Sequence, residues 1–228
     1  MTHETLSNSL EIKNYFDRRF GKEDPLLHAI RTEAEKKGLP PIQVSIHLGR
    51  LLFMFAKIQG ARRILEIGIL GGYSTICLAR ALPPEGYLLA FEKNALHVEI
   101  AKEHIEQAGL SKNVEIRQGL AIDLLAEAAA SSPPPFDFIF IDADKEGNAL
   151  YLEWAIHLSR PGTLILIDNM IPKGDKVGYP SHHEAEEVYA FNDYLALHPL
   201  LESAIFPTLI GETGRLDGVA ILLVKEFS

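Results

Sequence analysis

Two hydrophobic rhythms divide the chain near residue 60. Before it, apolar residues recur at helical spacing in DPLLHAIRTEAEKKG and PIQVSIHLGRLLFMFAKIQG. Both stretches end in glycine, Gly38 and Gly60, with lysine late, as helix C-termini do. From residue 62 the rhythm shortens. Compact β-rich runs (RRILEIG, GYLLAFE, NVEIRQG, FDFIFID, GTLILID) alternate with segments predicted to be helical over 72–82, 95–108, 120–130 and 147–159. Such alternation implies βαβ units and a parallel sheet. The unbroken apolar runs 138–141 and 164–167 imply that both faces of the sheet are covered. SSPPP at 131–135 reads as a loop entering a strand. IPKGDKVGYPSHHEAE, after residue 170, reads as a long polar loop, followed by a helix over 184–197 and two strands near 200–206 and 217–225. There is no internal repeat. The expected organisation is one α/β domain, 1–228, with a helical cap at 1–60 on a core at 61–228.

Composition narrows the function classes. Hydrophobic residues make up 47% of the 228 positions and the mean hydropathy is +0.05, which fits a globular chain and not a disordered one. Net charge is −9, with 22 Lys+Arg against 31 Asp+Glu, so a basic footprint for nucleic acid or anionic membrane is missing. A single cysteine, Cys77, excludes an intrachain disulfide and a thiolate metal site, and its apolar helical setting predicts a buried, inert thiol. No run of about 18 apolar residues suggests a membrane span. The polar start, MTHETLSNSLEIKN, does not resemble a signal peptide, so a cytoplasmic protein is expected.

In an open α/β sheet, ligands gather outside the carboxyl ends of the strands. Five predicted strand ends carry candidate groups: Glu66-Ile67-Gly68, Glu92, Gly119, Asp142 and Asp168-Asn169. In LEIGILGGYS, residues 65–74, Gly68, Gly71 and Gly72 lie between a strand and a helix, where a ligand can approach the backbone. A tight left-handed turn without a ligand would use the same glycines. Leu70 breaks the dinucleotide fingerprint G-x-G-x-x-G. Glu66 is unusual as mere packing, because a buried carboxylate needs partners. Glu92, twenty residues beyond Gly72, could accept ribose hydroxyls or be a solvated surface acid. Asp142, Asp168 and Asn169 offer three hard oxygen ligands, suited to an octahedral cation, although a lone Asp could equally cap a helix. Lys145, close behind Asp142, could be a general base beside such a cation or an ordinary loop lysine.

Together LEIG…GYS, the acid after the second strand, FIDADK, IDN and the closing LDGVAILLVK resemble the cation-dependent, S-adenosylmethionine-using O-methyltransferases. This is the group containing the catechol and caffeoyl-CoA enzymes. The resemblance runs from about residue 40 to 226, and DADK followed by DN is its specific part. It implies a class I S-adenosylmethionine-methyltransferase sandwich, Rossmann-like, with a seven-stranded, mostly parallel sheet whose last strand is antiparallel. It implies cofactor contacts at Glu66, Gly68, Ser74, Glu92, Ala121 and Asp142, with Val44 closing over the cofactor. Gly72 and Gly119 are counted with them from their places on the turn and at a strand end. Metal ligands would be Asp142, Asp168 and Asn169, holding Mg²⁺ (or Mn²⁺ or Ca²⁺), and Lys145 would take the acceptor's proton. A homodimer is expected. The chain departs from the family pattern at Asn148 (often Tyr), Gly71 (often Thr or Cys), Thr163 (often Gly) and Gly214, where mammalian catechol enzymes carry a glutamate.

The expected reaction is metal-dependent methyl transfer from S-adenosylmethionine to one hydroxyl of a small phenolic acceptor, a catechol-like vicinal diol. Two rivals are a nicotinamide oxidoreductase and a non-catalytic S-adenosylmethionine-binding protein. His182 and His183 invite a metal reading but lack further ligands at suitable spacing, and His47 and His157 are expected to be structural on apolar helix faces. Tyr15, Phe16 and Phe20 could serve a dimer contact or the substrate.

Overall fold

The computed structural model describes residues 3–172, 183–211 and 214–226. Three helices come first: α1 (His3–Phe20), α2 (Pro25–Glu33) and α3 (Ile46–Ile58). The Asp24 carboxylate caps α2, with Pro25 in its first turn, and the Ser45 hydroxyl caps α3, so both helices begin where a side chain satisfies free amides. The alternation then runs β1 (Arg63–Ile67), α4 (Tyr73–Ala79), β2 (Tyr87–Glu92), α5 (Ala95–Gln107), β3 (Val114–Gln118), α6 (Ala121–Ala130), β4 (Phe136–Ile141), α7 (Asn148–His157) and β5 (Ser159–Asp168). The chain ends with α8 (His183–Leu197) and the hairpin strands β6 (Leu201–Ile210) and β7 (Arg215–Val224).

The sheet order is β3-β2-β1-β4-β5-β7-β6. β1 to β5 pair in parallel, and β7 runs antiparallel to both β5 and β6. This is the seven-stranded methyltransferase sandwich that the resemblance implied. β6 is longer than its sequence pattern suggests, pairing as far as Ile210 with Arg215. As an edge strand it tolerates Pro207, whose missing amide would break the ladder of a central strand.

Strand residues alternate between two apolar layers. Leu65, Ile67, Leu89, Phe91, Ile139, Ile141, Ile165 and Ile167 pack with α6, α7 and α8. Ile64, Leu88, Ala90, Phe138, Phe140 and Leu166 pack with α3, α4 and α5. Cys77 lies in the second layer, and its thiol is pushed up to about 12, chiefly by burial, so it is inert as expected. No helix among the described residues is long and apolar enough to cross a membrane.

The strand order reverses between β1 and β4, and a ligand crevice belongs at that switch. Here the two strand ends almost touch. Asp142 N donates to Ile67 O at 2.8 Å, and a Cβ on Gly68 would sit 2.1 Å from Asp142 O. Gly68 also has φ +86, which an L side chain resists. Gly68→Ala is expected to lower the urea unfolding free energy by about 2–5 kcal/mol. An unchanged midpoint and slope would show that this approach is not a constraint.

Candidate active site

The alternation that builds the core also aims the acids. Glu66 lies in one row with Ala90, Phe140 and Leu166, on the face that packs against α3–α5. Two residues further along, the same parity places Glu92, Asp142 and Asp168 on that face, at the carboxyl edge of β2, β4 and β5. The sheet therefore brings the predicted Glu66, Glu92, Asp142 and Asp168 to one edge.

Glu92 organises the turn after β1. Its Oε2 accepts the amides of Ile69 (3.3 Å) and Leu70 (3.1 Å), and its Oε1 accepts that of Asn94 (2.9 Å). His97 stands 3.5 Å from the same Oε1. Glu92 is nearly buried, unlike a solvated surface acid. The turn it holds is conformationally demanding: Leu70 has φ 47, and Gly72, the residue before α4, has φ 82. No side chain caps α4, which starts at Tyr73 and Ser74. His104, which the sequence reading missed, braces the turn from α5. It is buried, its Nδ1 lies 2.7 Å from Gly71 O, and Lys37 Nζ lies 3.3 Å from its Nε2. The carbonyl needs a donor and the ammonium an acceptor, so these contacts select the Nδ1–H tautomer. The available signal was its place among Val98, Ala101 and Ile105 on the buried face of α5.

Glu66 is fully buried, and neither carboxylate oxygen has a hydrogen-bond partner. Burial pushes its pKa up from 4.5 to about 7. The nearby Ser74 and Thr75 hydroxyls oppose that rise without reaching hydrogen-bond geometry, and the charges of Asp142 and Glu92 add to it. An orphaned carboxylate under a glycine turn fits a cofactor that brings a positive charge or a donor. Gly119 donates its amide to Glu92 O at 3.0 Å, and Ala121 begins α6, which also lacks a side-chain cap. Val44 is buried just before α3.

At the end of β5, beside the end of β4, Asp168 is buried. Burial raises its pKa to about 8, with Asp142 and Asp217 adding to the rise and Lys145 opposing it. Asn169 follows in the left-handed region, φ 64, and its amide bonds to Asp168 Oδ1 at 2.9 Å. Lys145 Nζ donates to the carbonyl oxygens of Ala143 (3.3 Å) and Asp168 (3.4 Å), so it stands over the end of β5. Asp144 supports the turn: it accepts Gly147 N (3.2 Å) and the Tyr151 hydroxyl (3.1 Å). Asn148 is buried, and its Oδ1 has no partner.

Asp217 was also missed. It is wholly buried on β7, and its Oδ1 accepts the amides of Ile171 (3.1 Å) and Gly218 (2.8 Å), which ties down the chain after Asn169. Among the described residues no three His, Cys, Asp or Glu side chains form a metal cluster, so the candidate set is two carboxylates and one amide. Buried Asp168, opposed by the charge of half-buried Asp142 and with only hard oxygen donors in the set, fits a hard divalent cation.

Of the histidines, His182 lies outside the described residues. His183 is exposed at the start of α8, 3.4 Å from Glu187. His47 ties α3 to Asp17 of α1 at 2.9 Å, whereas His157 is exposed and lies against Trp154, not on an apolar face.

This fold and this edge of acids define an α/β methyltransferase-type site. The family model described as O-methyltransferase matches residues 18–214, and the chain belongs to that family of enzymes. It is 39% identical over 215 residues to a catechol O-methyltransferase of Niastella koreensis, covering 94% of this chain and 96% of the relative. Identity to a catechol O-methyltransferase of Mycobacterium tuberculosis is 37% over 218 residues, covering 96% and 97%. The solved O-methyltransferase of Bacillus cereus in complex with SAH superposes with a TM-score of 0.87 at 38% identity, over 96% of this chain and 100% of that one. The family match sets the nicotinamide oxidoreductase reading aside.

The raised pKa of Glu66 gives a signed pH effect. The ligand-free fold keeps a proton on Glu66 that the unfolded chain has released, so stability falls as pH rises from about 4.5 to about 7 and stays lowered above that. Glu66→Gln removes this titration. From about pH 5 to about pH 8 the wild-type Tm should fall relative to that of the variant, whereas parallel Tm curves would contradict the assignment.

Proposed function

We propose that the protein transfers a methyl group from S-adenosylmethionine to one hydroxyl of a catechol-like vicinal diol, in a divalent-cation-dependent reaction. The observation that carries this reading is the placement of Asp142 and Asp168 at the strand ends of the face that also bears Glu66 and Glu92, with Asn169 directly following Asp168. The catechol O-methyltransferases among its relatives and the SAH-bound neighbour support it.

The cofactor would lie over the Gly68–Gly72 turn. Glu66 offers it an unpaired carboxylate from below, and Ser74, Gly119 and Ala121 line its approach. A carboxylate has about four acceptor sites, and three on Glu92 already hold amides, so Glu92 both shapes the turn and has room for about one ribose hydroxyl. Val44 covers the cofactor from the cap. When bound, S-adenosylmethionine supplies the electrophilic methyl.

Asp142, Asp168 and Asn169 would hold Mg²⁺, Mn²⁺ or Ca²⁺, which supplies Lewis-acid charge beside the acceptor. Lys145 takes the proton from the acceptor hydroxyl. The oxygen would keep the electron pair and bond to the methyl carbon, with the sulfonium sulfur leaving as a neutral thioether. The remaining task is to hold oxygen and methyl close together, which can be worth about 7–11 kcal/mol. The reading includes a single catalytic domain, with residues 1–60 as a cap on 61–228. It also includes a homodimer using the exposed Tyr15, Phe16 and Phe20 of α1. Sedimentation equilibrium that found only monomer would remove the dimer.

Lys145→Ala should lower kcat by about 100-fold or more without unfolding the protein. Near-wild-type turnover would remove Lys145 from the chemistry. Across an acceptor panel, catechol should be methylated far faster than phenol, which has one hydroxyl. Equal rates would contradict the diol reading, and S-adenosylmethionine binding without turnover on any phenol would favour a non-catalytic binder.

A further inference from the structure

Three helices meet at a tyrosine that the proposed chemistry does not use. Tyr73 opens α4 directly after the glycine turn, and its hydroxyl donates to Glu23 Oε1 at 2.5 Å. The same oxygen accepts Nε and Nη2 of Arg31, each at 3.0 Å. The Arg31 guanidinium lies 4.5 Å from the centroid of the Tyr73 ring, a cation–π contact. The ring also packs on Gly49 of α3, where a Cβ would come within 2.8 Å of it. The Glu23 side chain is only 5% exposed, and His28 Nδ1 stands 3.6 Å from its second oxygen. Burial and Glu23 push the Tyr73 phenol well up, so its hydroxyl remains a donor.

Arg31 reaches one element further. Its two terminal nitrogens donate to Val44 O, at 3.4 Å each, and Gln43 Nε2 donates back to Arg31 O at 3.3 Å. The segment before α3 is thus tied to α2 in both directions. An exposed ion pair would contribute little, but a desolvated one leaves a costly unpaired charge when half of it is removed. Arg31 suits the task because its fork can serve a carboxylate and a carbonyl together while its plane lies on a ring.

We propose that Arg31 is a positioning residue that clamps the Val44 segment of the cap to the start of α4, and so sets how tightly the methyl donor is held. It acts through Val44 and Tyr73 and touches neither donor nor acceptor. The inference rests on the reading of this edge as an S-adenosylmethionine site.

The test combines calorimetric binding of S-adenosylhomocysteine, initial rates and Tm for wild type, Arg31→Gln and Arg31→Lys. Arg31→Gln should weaken S-adenosylhomocysteine binding and raise the KM for S-adenosylmethionine about tenfold, with kcat and acceptor KM within about twofold. Arg31→Lys can still pair with Glu23 but cannot span Glu23 and Val44, so it should recover Tm without recovering donor affinity. Unchanged donor affinity in both variants would overturn the clamp, as would affinity that simply tracks Tm. Failure of the wild-type protein to bind S-adenosylhomocysteine would overturn the site reading and the clamp together. Normal wild-type binding with unaltered variants would overturn the clamp alone.

Discussion

A fully buried carboxylate with no partner, Glu66, is the constraint around which the rest of the molecule is arranged. Such a group costs stability unless it is neutral or matched by a ligand. A core strand can hold it because its neighbours are rigid: Ala90 and Phe140 flank it in register, and α4 covers it with Ser74 and Thr75. Asp142 and Asp168 continue the same face, and Asp168 is likewise raised by burial and by acidic neighbours. The same face thus gathers three carboxyl groups, and burial holds Glu66 and Asp168 toward their neutral forms. Strain of this kind is maintained by surrounding structure and concentrates at functional sites.

The supports for that edge come from distant parts of the chain. Glu92 holds two amides of the glycine turn, His104 holds the Gly71 carbonyl, and Asp217 holds the backbone just beyond Asn169. Lys145 is stationed by two carbonyl oxygens. Arg31 joins the helical cap to the same turn.

Much of the architecture was legible in the sequence because apolar periodicity is a local property. The runs at 138–141 and 164–167 could hardly be anything but covered strands, and the polar group at each strand end followed from their ends. Parity also did more than it seemed to: an even spacing from Ile64 to Glu66 and from Phe138 through Phe140 to Asp142 put the acids on one face. His104, Asp217 and the Glu23–Arg31–Tyr73 contact were not legible, since each depends on a partner between 33 and 50 residues away. β6 overran its predicted end because an edge strand can carry Pro207. His157 turned outward because its helix buries Tyr151, Leu152, Ala155 and Ile156 instead.

The central claim is that the acid edge is completed by a divalent cation and then transfers a methyl group to a diol. The most direct measurement is the initial rate of methyl transfer from S-adenosylmethionine to catechol, taken with Mg²⁺, with EDTA, and with EDTA followed by excess Mg²⁺. The account predicts turnover with Mg²⁺, loss of turnover with EDTA and recovery when the ion is returned. An equal rate under all three conditions would contradict it.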